Sequence, residues 1–113
     1  MAEAMGSTKA FLLRIRQGKI AEYKRRHAQI WPEMVEALEQ LGYRHYDIFV
    51  HEGSGCVFGH VLIDSTVTGR ADHPTILRWR AYMADVLEMD GELPVQESLE
   101  KVFTLSNHVK AAP

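Results

Sequence analysis

The chain has 113 residues, 46% of them hydrophobic and 25% charged, with a formal net charge of −2. That length suits one domain, and the composition excludes a disordered or fibrous chain. So small a net charge excludes a nucleic-acid binder held by a basic field, since the one basic cluster, Lys24-Arg25-Arg26, is too short to steer a polyanion.

Residues 1–8 read as a disordered N-terminal segment, 9–106 as a single domain and 107–113 as a flexible tail. The N-terminus has no basic start followed by an apolar run, and no apolar stretch approaches the roughly 18 residues of a membrane span. No membrane partner is therefore expected, and the expected compartment is the cytoplasm.

Lys9–Arg16 alternates, with Phe11, Leu13 and Ile15 on one face, which predicts a strand. Gln17-Gly18 breaks it. Ile20, Tyr23, His27, Ile30, Met34, Leu38 and Leu41 then recur in steps of three or four, which is a helical stripe. Pro32 sits inside that stripe. Either the helix kinks near Ile30-Trp31, or a second helix starts with Pro32 in its first turn. Gly42 suits the end of the helical region.

Tyr43–Glu52 is the next predicted strand, with Tyr46, Ile48 and Val50 on one face and His45, Asp47, Phe49 and His51 on the other. Gly53-Ser54-Gly55 makes a hairpin turn. Cys56–Asp64 returns, with Phe58, His60 and Leu62 opposite Val57, Gly59, Val61 and Ile63. A loop follows. Pro74–Met89 is the second helical region, with Ile76, Trp79, Met83 and Val86 on one stripe, and Val102–Leu105 is a last short strand. The order is βαββαβ, an α+β pattern with two helices covering one face of a four-stranded antiparallel sheet. The other sheet face still carries alternate apolar residues, so a homodimer joined face to face is expected.

Familiar catalytic signatures are absent: there is no GxGxxG, Walker loop, HExxH or GxSxG. The lone cysteine, Cys56, excludes an internal disulfide and reads as a small apolar strand residue. The six histidines show no convincing ligand spacing, so no metal is expected. The informative pair is Tyr23 and His27, one helical turn apart on the apolar stripe and therefore aimed toward the sheet. A histidine in that setting is more often a satisfied core residue. Its company points elsewhere, because Tyr46 and Trp79 also face inward. One imidazole, two phenols and an indole would form a small aromatic pocket with polar tips, the kind of surface that takes a monosaccharide. Imidazole exchanges protons near neutral pH, and interconversion of sugar anomers requires only proton transfer.

The run Tyr23-Lys24-Arg25-Arg26-His27 followed by Ile30-Trp31-Pro32-Glu33 resembles the L-rhamnose mutarotase family. The likeness continues through Tyr46-Asp47-Ile48, Arg78-Trp79-Arg80-Ala81-Tyr82-Met83-Ala84-Asp85 and Val102-Phe103, covering about residues 9–105. It implies a dimeric, ferredoxin-like α+β fold forming an α/β-barrel assembly, no cofactor, and interconversion of the α and β pyranoses of a 6-deoxy-L-sugar. It also implies that His27 is the proton donor, and that Tyr23, Tyr46, Trp79 and Arg80 occupy substrate-contacting positions. Arg80 departs from the family's second tryptophan and turns an aromatic wall into a charged fork. The Met89–Val95 stretch and the loop after the third strand also depart, so L-fucose or a sugar acid are alternatives to L-rhamnose. Asp47 and His60 are candidates for the second proton-transfer group. Trp31-Pro32 reads as a wedge and helix start. Competing readings are a cofactor-free monooxygenase and a non-catalytic sugar-binding module on the same fold.

Overall fold

The structure is a computed structural model that describes residues 6–67 and 73–105. Strand β1 (Gly6–Arg14) is followed by α1 (Ile20–Ala28), α2 (Pro32–Gln40), β2 (Tyr43–His51), β3 (Cys56–Asp64) and α3 (Pro74–Met83). A two-residue hairpin, β4 (Met89–Asp90) and β5 (Leu93–Pro94), leads into β6 (Gln96–Leu99). The main sheet has order β2-β3-β1-β6, and every neighbouring pair is antiparallel. This is the expected α+β arrangement.

Register fixes the two faces. Leu13 lies opposite Val57, Phe11 opposite Gly59, Val50 opposite Val57 and Tyr46 opposite Val61. Directly opposed residues share a face, so these side chains meet the helices. Their core partners are Ile15, Tyr23, Met34, Trp79, Met83, Val86 and Leu87, all buried. The reverse face shows Phe49 at 60% exposure, Phe58 at 36% and Leu99 at 40%. Half-buried Cys56 faces the same way, opposite His51 and Arg14.

Several boundaries differ from expectation, each for a local reason. Three helices form instead of two. Pro32 starts α2 at its first position, and the residue before it, Trp31, is driven to φ −63°, ψ 134°. That extended residue ends the first helix. The third helix stops at Met83, six residues short of Met89. Beyond it, the Val86 carbonyl accepts from the Arg16 amide at 2.8 Å, and Leu87 bridges Ile15. Sheet pairing at the end of β1 has overridden the helical stripe. The last strand is Gln96–Leu99 rather than Val102–Leu105. It is a polar edge strand without apolar alternation, while Val102 at 88% exposure and Phe103 at 77% have no regular structure. β1 begins at Gly6, so Gly6–Thr8 is strand and not part of a disordered segment. The tail expected over 107–113 and residues 1–5 lie outside the described residues. No helix among those described is long and apolar enough to cross a membrane.

Candidate active site

The site begins with a nine-residue helix that is too short to be stable alone. Helix α1 is held by what its side chains reach. Tyr23 is 3% exposed and joins the core. One turn later His27 presents its ring to the same side, 4.3 Å from the Tyr23 ring centroid and 5.5 Å edge-on from Trp79. The His27 Nδ1 lies 3.1 Å from the Tyr23 carbonyl oxygen. A carbonyl only accepts, so Nδ1 carries the proton and the neutral ring keeps its lone pair on Nε2.

Tyr46 approaches from β2. Its ring stacks on Tyr43 at 5.5 Å and meets Phe11 edge-on at 6.2 Å. Phe11 in turn lies over Gly59, where a Cβ would stand 2.3 Å from the Phe11 Cζ. Gly59 thus makes room for the ring that braces Tyr46. From the other side, Trp79 packs edge-on to Trp31 at 5.0 Å and against Tyr82 at 5.5 Å. Trp79 is only 9% exposed, so it backs the site and offers no open aromatic face.

Burial acts oppositely on the two kinds of group. It lowers the pKa of His27 below 6.5, with the bond to the Tyr23 carbonyl pulling weakly the other way. It raises the phenol of Tyr23, with the nearby Tyr46 adding to the effect, and it raises that of Tyr46, to which Tyr43 adds. At neutral pH the imidazole is a base with an available lone pair, and both phenols keep their protons.

Thr8 Oγ1 is the one buried side-chain polar atom without a partner among the described residues. The Tyr23 hydroxyl, His27 Nε2 and Trp79 Nε1 make no hydrogen bond to a described residue, yet they are not sealed in. Three polar tips are therefore left open within one aromatic lining. Of the expected site residues, the structure brings together Tyr23, His27 and Trp79, with Tyr46 coupled to them through the Tyr23 phenol. Arg80 stands apart. It is half-buried, about 100° around the helix from Trp79, and makes no hydrogen bond, ion pair or ring contact among the described residues.

Asp47 and His60 do not belong to the site. They oppose one another across β2 and β3, one residue away from Tyr46 and Val61, and so occupy the reverse face. There Asp47 takes a 2.6 Å contact from His45 Nε2. The alternation that aims Tyr46 inward necessarily turns Asp47 outward. His73 caps α3 by accepting from the Thr75 amide at 3.2 Å, as a helix-start residue should. Among the described residues no three of His, Cys, Asp and Glu lie together as a metal set. A hollow of about 520 Å³ lies between β1, β6 and residues 100–104, lined by Thr8, Lys9, His60 and Phe103 among others. It contains none of the site aromatics.

Trp31, Tyr82 and Arg26 were not legible as part of the site's frame. Trp31 lies 5.3 Å from Tyr82, and both pack on Trp79. A hint lay in the spacing of Trp79 and Tyr82, three residues apart on one helix and hence neighbours.

Comparison with known proteins agrees with this geometry. The family model described as rhaM, L-rhamnose mutarotase, matches residues 8–105. An L-rhamnose mutarotase of Sinorhizobium fredii is 40% identical over 101 residues, covering 86% of this chain and 96% of its own. One from Bacillus subtilis is 39% identical over 100 residues, covering 86% and 96%. A crystal structure of an L-rhamnose mutarotase from Formosa agariphila superposes with a TM-score of 0.78 at 30% identity, over 88% of this chain and 99% of that one. With the match running over residues 8–105, from β1 past β6, the chain belongs to the L-rhamnose mutarotase family of isomerases.

Proposed function

We propose that this protein interconverts the α and β pyranose forms of L-rhamnose, with L-fucose as a second candidate 6-deoxy-L-sugar. His27 Nε2 takes the proton from the anomeric hydroxyl while the ring oxygen gains one, the bond between C1 and the ring oxygen breaks, and the aldehyde forms. Rotation about the bond from C1 to C2 turns the aldehyde over. On reclosure the imidazolium of His27 returns its proton to the new anomeric oxygen, so the ring-closing half uses the same group as an acid. Tyr23 and Tyr46 hydrogen-bond the sugar oxygens through phenols that are protonated at neutral pH, and one of the two lends its proton to the ring oxygen on opening and recovers it from the C5 hydroxyl on closure. Trp79 backs the hollow, and Arg80, which no described residue engages, is available to a substrate hydroxyl or carboxylate. The chemistry needs no cofactor or metal.

The observation that carries this reading is the trio of unpartnered polar tips, Tyr23 hydroxyl, His27 Nε2 and Trp79 Nε1, within one aromatic lining. The exposed apolar face, with Phe49, Phe58 and Leu99, supports a homodimer, and the reading places the protein in the cytoplasm. Saturation-transfer NMR of an equilibrated L-rhamnose or L-fucose solution tests the reaction. Protein-dependent exchange between the α and β anomeric signals is expected. Binding without exchange would favour a sugar-binding module, and neither binding nor exchange with both sugars would overturn the proposal.

A further inference from the structure

Arg26 precedes the proposed base directly, yet its side chain is only 10% exposed and reaches Glu22, Tyr82 and Asp85. Its guanidinium is used almost completely. Nε donates to Glu22 Oε2 at 2.7 Å, Nη1 donates to the Tyr82 carbonyl at 2.6 Å and to Asp85 Oδ1 at 2.8 Å, and Nη2 donates to Asp85 Oδ2 at 3.2 Å. The guanidinium carbon also lies 4.4 Å from the centroid of the Tyr82 ring. Tyr82 packs on Trp79, and Trp79 meets His27. The fork therefore fastens α1 to the last turn of α3 at the place where the two helices present His27 and Trp79 to one another. No side chain caps the start of α1, and the ion pair that Lys24 makes with Glu52 runs between exposed groups. A planar fork fixes direction as well as distance, which a point charge does not.

We propose that Arg26 is a positioning residue for the anomer exchange: by clamping α1 to the Tyr82–Asp85 end of α3 it sets the placement of the His27 ring against Trp79. This rests on the functional reading above. Arg26 touches no substrate and its charge is not what matters, so a lysine cannot replace it.

The test compares Arg26→Gln, Arg26→Lys and Asp85→Asn with the unaltered protein. Anomer exchange is followed by NMR as a function of sugar concentration, and the His27 ring signal is titrated without sugar. Both Arg26 variants should lower kcat by about 10- to 100-fold with KM within about threefold, because a displacement near 1 Å costs on that order. In both, the His27 pKa should rise toward its ordinary value as the loosened ring gains solvent. Asp85→Asn, which keeps the arginine and turns one of the two oxygens that hold its fork into a donor, should lower kcat by at least about threefold. Wild-type kcat in Arg26→Lys would show that charge suffices and overturn the proposal. A lower melting temperature with kcat and the His27 titration unchanged would reduce Arg26 to a structural tie and overturn it equally. If Arg26→Gln fails to fold, Asp85→Asn decides, and unchanged kcat there overturns the proposal. Should the unaltered protein exchange neither sugar, the functional reading falls, while the His27 titrations still decide whether Arg26 positions the ring.

Discussion

Replacing His27 by alanine separates catalysis from folding, because the imidazole contributes little to the core. Its loss removes one hydrogen bond to the Tyr23 carbonyl and ring contacts with Tyr23 and Trp79. Each aromatic contact is worth about 0.5–1.5 kcal/mol and the bond about 1 kcal/mol, offset by alanine's better helix propensity of about 0.5 kcal/mol. The net cost is about 1.5–3.5 kcal/mol, within the reach of an ordinary domain. Exchange should fall by about 10²–10⁴-fold, the range supplied by one positioned acid–base group. Polarimetry of freshly dissolved sugar and saturation-transfer NMR both read this loss, with circular dichroism confirming the fold. A folded variant with undiminished exchange would refute the role of His27. The unaltered protein adds a pH signature. Burial lowers the His27 pKa below 6.5, so the acid limb of kcat/KM should lie below that value. Linkage gives stability the same direction. Between the folded and unfolded pKa the unfolded chain binds more protons, so stability is full above about pH 6.5 and declines as pH falls through the folded pKa. An acid limb above pH 7 would contradict the buried, carbonyl-bonded ring.

The remaining predictions concern the surroundings of that imidazole. Tyr23→Phe removes a hydroxyl with no described protein partner, so thermal stability should change by less than about 1 kcal/mol while exchange slows about tenfold; a large drop in melting temperature would show the hydroxyl to be structurally bonded. Gly59→Ala should cost about 1–3 kcal/mol in denaturant unfolding, because the Phe11 ring must swing away, and exchange should slow as Tyr46 loses its brace; unchanged stability and activity would break the proposed chain from Gly59 to Tyr46. Phe49→Asp, at a residue 60% exposed on the reverse face, should shift sedimentation from dimer to monomer, and an unaltered protein that sediments as a monomer would refute the face-to-face pairing. Arg80→Ala should weaken sugar binding in a calorimetric titration, and unchanged affinity would remove Arg80 from the substrate.

What could be read from the chain depended on periodicity. The two-residue period of β2 and β3 is unbroken by charge on the helix-facing side, so the inward turn of Tyr46 and the place of Val57 and Val61 were legible. So was the pairing of Tyr23 with His27, since residues four apart on one stripe must be neighbours. The same alternation misled at Asp47 and His60 only where candidate chemistry was allowed onto the wrong face. The end of α3 was illegible because Val86 and Leu87 continue the apolar spacing while bonding to Arg16 and Ile15 just past β1. Gln96–Leu99 was missed because an edge strand against β1 needs backbone groups and not apolar side chains. In the sequence Arg26 is only the last of three basic residues beside the apolar stripe. Only the approach of α3, some 56 residues further along the chain, reveals that its fork is consumed, and no local pattern encodes that contact.

One environment divides the proton work. Burial disfavours whichever form of a group is charged, so the same desolvation that favours the neutral imidazole of His27 also favours the protonated, hydrogen-bond-donating phenol of Tyr23. The tautomer adds direction, since the Tyr23 carbonyl holds the Nδ1 proton and leaves Nε2 as the only site for exchange. In the proposed reaction Tyr23 therefore contributes twice, its backbone carbonyl holding the imidazole and its phenol ring lying 4.3 Å from the His27 ring centroid. Replacing its side chain tests only the second contribution. A Tyr23→Phe variant that shifted the His27 pKa as strongly as it slowed exchange would show that the two cannot be separated, and the division of roles would fail with it.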